Sequence, residues 1–97
     1  MANFFDGFEQ EIKRTVSLFL SSSDWLVTRH RDQVEGGSST SLTSDEYTEL
    51  LSYRQYIRDL SAQTDFDPDT FVFREFTLRD RYCEAEYLAV ANLFQTY

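Results

Sequence analysis

A mainly helical single domain of three or four helices is what this sequence predicts. Three observations predict it. Apolar residues recur at helical spacing over most of the 97 residues. Only three Gly and one Pro interrupt the chain, too few for a turn-rich sandwich or a disordered linker. One segment also carries a full set of helix-start signals, centred on Thr43 and Glu46. The length suits one domain, 1–97, and not two. A hydrophobic fraction of 41%, with 16% aromatic, supplies a core of Phe, Tyr and Leu.

The first helix is expected from about Asn3 to Leu20. Phe4, Phe5, Phe8, Ile12, Val16, Phe19 and Leu20 form its apolar face, and Glu9, Glu11, Lys13, Arg14 and Ser17 lie mostly opposite. Asn3 is a candidate cap, and Gly7 weakens the first turn. Ser21, Ser22, Ser23 and Asp24 then read as a stop, because Ser and Asp side chains compete for backbone bonds. Asp24 would cap a second, shorter helix from Trp25 to Val34. Glu35-Gly36-Gly37-Ser38-Ser39-Thr40-Ser41 reads as a flexible surface loop.

The third helix is expected from Ser44 to about Ala62. Thr43 and Glu46 have capping-box spacing, Leu42 and Tyr47 the spacing of a hydrophobic staple. Asp45 and Glu46 suit the positive end of the helix dipole. Leu50, Tyr53, Ile57 and Leu60 make the stripe, widened by Tyr47, Leu51 and Tyr56. Asp65, Asp67, Pro68 and Asp69 mark a turn. Phe71 to Phe76 then permits a short extended segment that could pair with a strand of another chain. From about Arg79 the pattern is helical again. Tyr82, Ala85, Ala89 and Leu93 fall on one line and Tyr87, Val90, Phe94 and Tyr97 on another. Tyr87 to Tyr97 has no charged side chain, so this helix either packs inward or is a partner contact.

Several function classes lack the residues they need. Nine basic against seventeen acidic residues give a net charge of −8, which opposes nucleic acid and acidic membranes. No apolar run approaches the roughly 20 residues of a membrane span, and no signal peptide is visible. Cys83 is the single cysteine, so no internal disulfide is expected, and one thiol suits a reducing cell interior. His30 is the single histidine and has no activating motif, so no nucleophilic dyad or triad is expected. Asp65, Asp67 and Asp69 have the alternate spacing of part of a calcium loop, but Pro68 intrudes and the terminal Glu is missing. Neither a metal nor a cofactor is expected, and the chain reads as a non-enzyme.

Interaction chemistry is better represented. Trp25 could be an anchor, with Arg29, His30 and Gln33 supplying directed hydrogen bonds, since Trp and Arg are enriched at binding hot spots. Trp25 and Tyr53 are expected at least half buried. Arg29, His30, Gln33, Arg54 and Arg58 are candidates for a shared polar network or contact surface.

The order of these pieces is itself informative. Asp24-Trp25 precedes Arg29-His30-Arg31-Asp32-Gln33. A Gly-containing loop leads to Ser41-Leu42-Thr43 and Glu46-Tyr47, then Leu50-Leu51, Tyr53-Arg54-Gln55 and Ile57-Arg58-Asp59-Leu60. The set resembles the phage tail assembly chaperone family, the tail-fibre assembly proteins, over roughly Leu18 to Phe73. Phe66-Asp67-Pro68 stands in for the family's Phe-Pro stretch, and Phe71-Val72-Phe73-Arg74 replaces its Trp-Pro segment. The resemblance implies a chaperone-like helical core over 1–76; the segment beyond Phe76 lies outside it, and its own pattern makes 77–97 a helical C-terminal extension. It implies a non-enzymatic protein that binds a tail-fibre or other tail subunit and helps it fold, oligomerise or attach. Such a protein acts in the host cytoplasm during assembly, is either released or retained in the virion tail, and forms an oligomer matching the fibre's symmetry. Partner-binding candidates are Trp25, Arg29, His30, Gln33, Tyr53, Arg54, Arg58, Val72, Phe73 and Phe94. The competing reading is an acidic phage-encoded inhibitor that binds a host protein by mimicking DNA; Arg54, Arg58, Arg74, Arg79 and Arg81 interrupt the carboxylate row it would need.

Overall fold

The structure is a computed structural model. It describes the backbone of residues 4–62 and 73–95, and side chains over 10–60, 62 and 73–93. The cap at Asn3, the acidic turn at Asp65–Asp69, Val72 and Tyr97 lie outside the described residues, as do the side chains of Phe4, Phe5, Phe8 and Phe94. Three helices are described: α1 Phe4–Glu35, α2 Ser44–Ala62 and α3 Glu84–Gln95. The mainly helical fold class read from the sequence is the fold observed. Among the described residues there is no strand.

The break expected at Ser21–Asp24 does not occur; α1 runs unbroken for 32 residues. Two causes are visible. Ser22 and Ser23 hydrogen-bond back to the carbonyls of Leu18 (2.6 Å) and Phe19 (2.9 Å), so their hydroxyls join the helix instead of competing with it. The buried face also continues through them. Ile12, Val16, Phe19, Ser23, Leu26 and His30 are all buried, at alternating steps of four and three residues. The helix ends instead at the glycines. Ser38 N–H donates to the Gln33 carbonyl (2.9 Å) and Gly37 N–H to that of Val34 (3.2 Å), with Gly37 at φ 72°. This left-handed C-terminal cap is what glycine permits without strain.

The loop that follows is hydrogen-bonded rather than a free linker. The Ser41 N–H donates to the Gln33 side-chain oxygen (2.9 Å), and the Gln33 amide donates to Ser41 Oγ (3.1 Å). α2 then starts as its sequence specifies. Thr43 N–H donates to Glu46 Oε1 (2.9 Å) and Glu46 N–H to Thr43 Oγ1 (3.1 Å). Leu42 is buried, and Tyr47 packs against the core. α2 lies antiparallel to α1, with Tyr47 stacked on His30 and Arg54 reaching Leu20, Ser23 and Asp24. Leu50, Tyr53, Ile57 and Leu60 are fully buried as expected, but Leu51 is 39% exposed and leaves the stripe.

Of the segment expected to extend toward another chain, the described residues 73–76 lie against the core. Phe76 is fully buried, stacked on Tyr53 (4.8 Å between ring centres) and edge-on to Phe19 (5.4 Å). Arg74 has both its backbone groups occupied: its N–H donates to the Tyr56 hydroxyl, and its carbonyl accepts from the Tyr53 hydroxyl, each at 2.9 Å. Burial holds the Tyr53 hydroxyl far above the usual range, so it stays a protonated donor. A backbone pinned in this way has no free edge at Arg74 for strand addition.

The last helix begins at Glu84, five residues later than the expected Arg79. Residues 77–81 form turns instead, and Cys83, at φ 56°, interrupts the helical path. α3 packs on α1, and the line Tyr87, Val90, with Ala91, faces inward. α1 is therefore a spine carrying α2 and α3, in a molecule of 56 × 23 × 20 Å.

Two outcomes are expected from urea unfolding followed by circular dichroism. Tyr53→Phe, which loses one buried hydrogen bond, lowers the unfolding free energy by about 1 kcal/mol. Glu46 is held below the usual carboxylate range, chiefly by the Thr43 N–H and then by Arg81. Its contribution is therefore complete above that range and disappears as pH falls through the lowered value. Thr43→Ala costs about 1 kcal/mol at neutral pH, and Glu46→Gln flattens the loss of stability below about pH 4.

Candidate partner-binding surface

The residues expected to share one polar network divide into separate contacts. Arg54 is buried, and its guanidinium donates to the Leu20 carbonyl (2.9 Å), to Ser23 Oγ and to Asp24 Oδ1 (2.6 Å). Gln33 holds the loop at Ser41. His30 is 8% exposed and lies parallel to Tyr47 at 3.8 Å; its Nδ1 is buried with no hydrogen-bond partner among the described residues. Tyr53 and Phe73 belong to the core packing. These five positions are structural as placed, and Phe94 is in α3 with its side chain outside the described residues.

Trp25 is different. It is 50% exposed, at the margin of the expected burial, because positions 18 and 25 point away from the seam that buries Phe19 and Leu26. Arg29, one turn on, places its guanidinium 4.9 Å from the Trp25 ring centre and 5.8 Å from that of Tyr82. It also donates to the Tyr82 hydroxyl (3.3 Å), and Tyr82 meets Trp25 edge-on at 6.0 Å. The Arg29 hydrogen bond shifts the Tyr82 hydroxyl below its usual range, and Arg81 on its other side acts in the same sense. An exposed Trp is thus fixed from two sides, so little side-chain entropy remains to be lost on contact with a partner.

Two open hollows flank this part of α1. One, of about 630 Å³, is lined by Trp25, Thr28, Arg29, Asp32, Gln33 and Ser38. The other, of about 400 Å³, lies between α1 and α2 and is lined by Asp24, Val27, Thr28, Arg31, Leu51, Arg54 and Arg58. Thr28 lines both, so the hollows adjoin across it. Sequence reasoning missed Tyr82, Arg31 and Leu51 as surface residues here. Tyr82 meets Trp25 only through tertiary packing. For Leu51 the steps Leu50, Tyr53, Arg54, Ile57 of the buried face already leave it outside.

The single cysteine is not poised as a nucleophile. Cys83 is half-buried, and its thiol donates to the Ser22 carbonyl (3.5 Å). Burial pushes its pKa up to about 11, the opposite of what an attacking thiolate needs. No group of three or more His, Cys, Asp or Glu among the described residues could hold a metal ion. Also among them, no helix is long and apolar enough to cross a membrane.

The thiol makes a checkable point. Alkylation of Cys83 by iodoacetamide near about pH 8, followed by mass spectrometry, is expected to be at least about tenfold slower in the folded chain than in the unfolded one.

No known protein family, curated protein or solved structure matches this chain.

Proposed function

We propose that this chain is a phage tail-fibre assembly chaperone or accessory tail protein, which binds a fibre or tail subunit without catalysing a reaction. The observation that carries the reading is the half-exposed Trp25, fixed by Arg29 and Tyr82 beside an open hollow. A large rigid aromatic next to an arginine is the composition of a binding hot spot. Trp25 and Arg29 also lie in the Asp24-Trp25 and Arg29-His30-Arg31-Asp32-Gln33 pieces of the tail assembly chaperone resemblance. Asp24 and Arg54, from two pieces of that set 30 residues apart, form an ion pair, so the pieces belong to one folded unit.

The role suits the physics of the proposed partner. Trimeric β-rich fibres fold slowly through long-range pairings and expose apolar surface while they do so. A small acidic protein that covers such surface suppresses wrong association and stays soluble at −8 net charge. Binding would take place in the host cytoplasm during assembly, in a stoichiometry matched to the fibre's symmetry.

Co-expression with the neighbouring tail-fibre gene product, then size-exclusion chromatography with light scattering, tests this. A complex of defined stoichiometry is expected, and Trp25→Ala weakens it at least about thirtyfold, as for a hot-spot residue. Its presence in purified virions would mark a retained subunit, its absence a released chaperone. A fibre protein that is soluble and trimeric alone and forms no complex would overturn the proposal.

A further inference from the structure

The contacts that hold Tyr82 against Trp25 continue past it to the start of α2. The guanidinium of Arg81 makes the bridge. One terminal nitrogen, Nη1, donates to Glu46 Oε2, and the other, Nη2, lies 3.5 Å from the Tyr82 hydroxyl. The guanidinium carbon is 5.2 Å from the centre of the Tyr82 ring. Glu46 is itself held, because its Oε1 accepts the Thr43 N–H of the capping box at 2.9 Å. The backbone under the ring is fixed as well. The Tyr82 N–H donates to the Leu78 carbonyl (3.0 Å), and the neighbouring Cys83 thiol to the Ser22 carbonyl of α1 (3.5 Å). From the Tyr82 hydroxyl the path runs to Arg29 at 3.3 Å, and from Arg29 to the Trp25 ring at 4.9 Å.

We infer that Arg81 is a positioning residue for the partner surface: it ties Tyr82, and through Tyr82 the Trp25 ring, to the first turn of α2. The inference rests on the partner-binding reading of Trp25 and adds what keeps that surface in shape. Planarity is why an arginine can do this. Its terminal nitrogens have a fixed mutual geometry, so seating one on Glu46 sets the direction of the other. The pair with Glu46 contributes little to stability, since the Arg81 side chain is 47% exposed. Its effect is on freedom of movement rather than on folding. An exposed side chain otherwise changes rotamer on the picosecond-to-nanosecond scale, and ordering it on contact costs affinity. Arg79, two residues earlier, points instead to Glu75 and Tyr87, which makes it an internal control.

Trp25 is the single tryptophan, so its indole Nε1–H gives one NMR peak in the isotopically labelled full chain. Relaxation measurements on that peak test the inference without any fibre protein. An order parameter of about 0.8 is expected in the unaltered chain and of about 0.6 in Arg81→Gln, a change at an exposed position that leaves the fold intact. Glu46→Gln keeps an amide oxygen for the Thr43 N–H and loses the charge that holds Arg81, so it produces the same fall. Arg79→Gln leaves the value unchanged. An unchanged order parameter in Arg81→Gln would overturn the inference. So would a fall that Glu46→Gln does not share, which detaches the effect from α2. So would an equal fall in Arg79→Gln, which marks general loosening of the segment. Where the fibre complex forms, Arg81→Gln weakens it about threefold, the loss for one side chain that must be ordered on binding. A fall in the order parameter with no fibre complex supports the positioning role and sinks the chaperone reading. A fibre complex with no such fall does the reverse.

Discussion

The architecture depends on a buried guanidinium. Arg54 is 7% exposed, and a charge in that position is tolerated only when its donors are satisfied. α1 satisfies them with one backbone carbonyl, one hydroxyl and one carboxylate, from Leu20, Ser23 and Asp24. The same contact solves a problem of α1. Ser23 occupies a seam position where neighbours are Phe19 and Leu26, and its side chain is too small to fill the space. Arg54 fills it from α2 and uses the polar groups that a serine run supplies. Helix α2 is thereby set in register on α1, and Tyr53, next in the chain, is carried against Phe19 and Phe76. From there the Tyr53 and Tyr56 hydroxyls take both backbone groups of Arg74, and the return segment is led to α3.

Much of this was written in local patterns. The second described helix has the bounds expected of it, because a capping box and an acidic first turn are decided within four residues. The serine run misled because composition was weighed above spacing. Continuing the four-and-three steps from Ile12 through Phe19 to Ser23, Leu26 and His30 points to one helix. What remained hidden was the partner that makes a buried serine acceptable, since Arg54 lies 31 residues away. The start of α3 was misplaced for a similar reason. From about Arg79 the residue pattern is helical, but a left-handed Cys83 is a tertiary outcome with no local signature.

The candidate surface was legible in part. Trp25 and Arg29 were visible as a pair one turn apart, and they do touch. Their fixation by Tyr82, 53 residues from Arg29, was not. His30, Gln33 and Arg54 were grouped with them on composition, yet each is occupied in holding the fold. The division has a functional meaning. The structural polar residues tie α1 to α2 and to the loop between them, and α1 presents Trp25 on one hollow and Arg31 on the next. Affinity for a partner then depends on few mobile groups.

The most direct test of Arg54 as the organising contact is the urea unfolding free energy of Arg54→Leu against the unaltered chain. A loss of about 3 kcal/mol is expected, since several charge-assisted hydrogen bonds go at once, with Asp24→Asn costing under about 1 kcal/mol because that carboxylate is largely exposed. An Arg54→Leu chain as stable as the original, as happens when a buried ion is replaced by a well-packed apolar side chain, would contradict it.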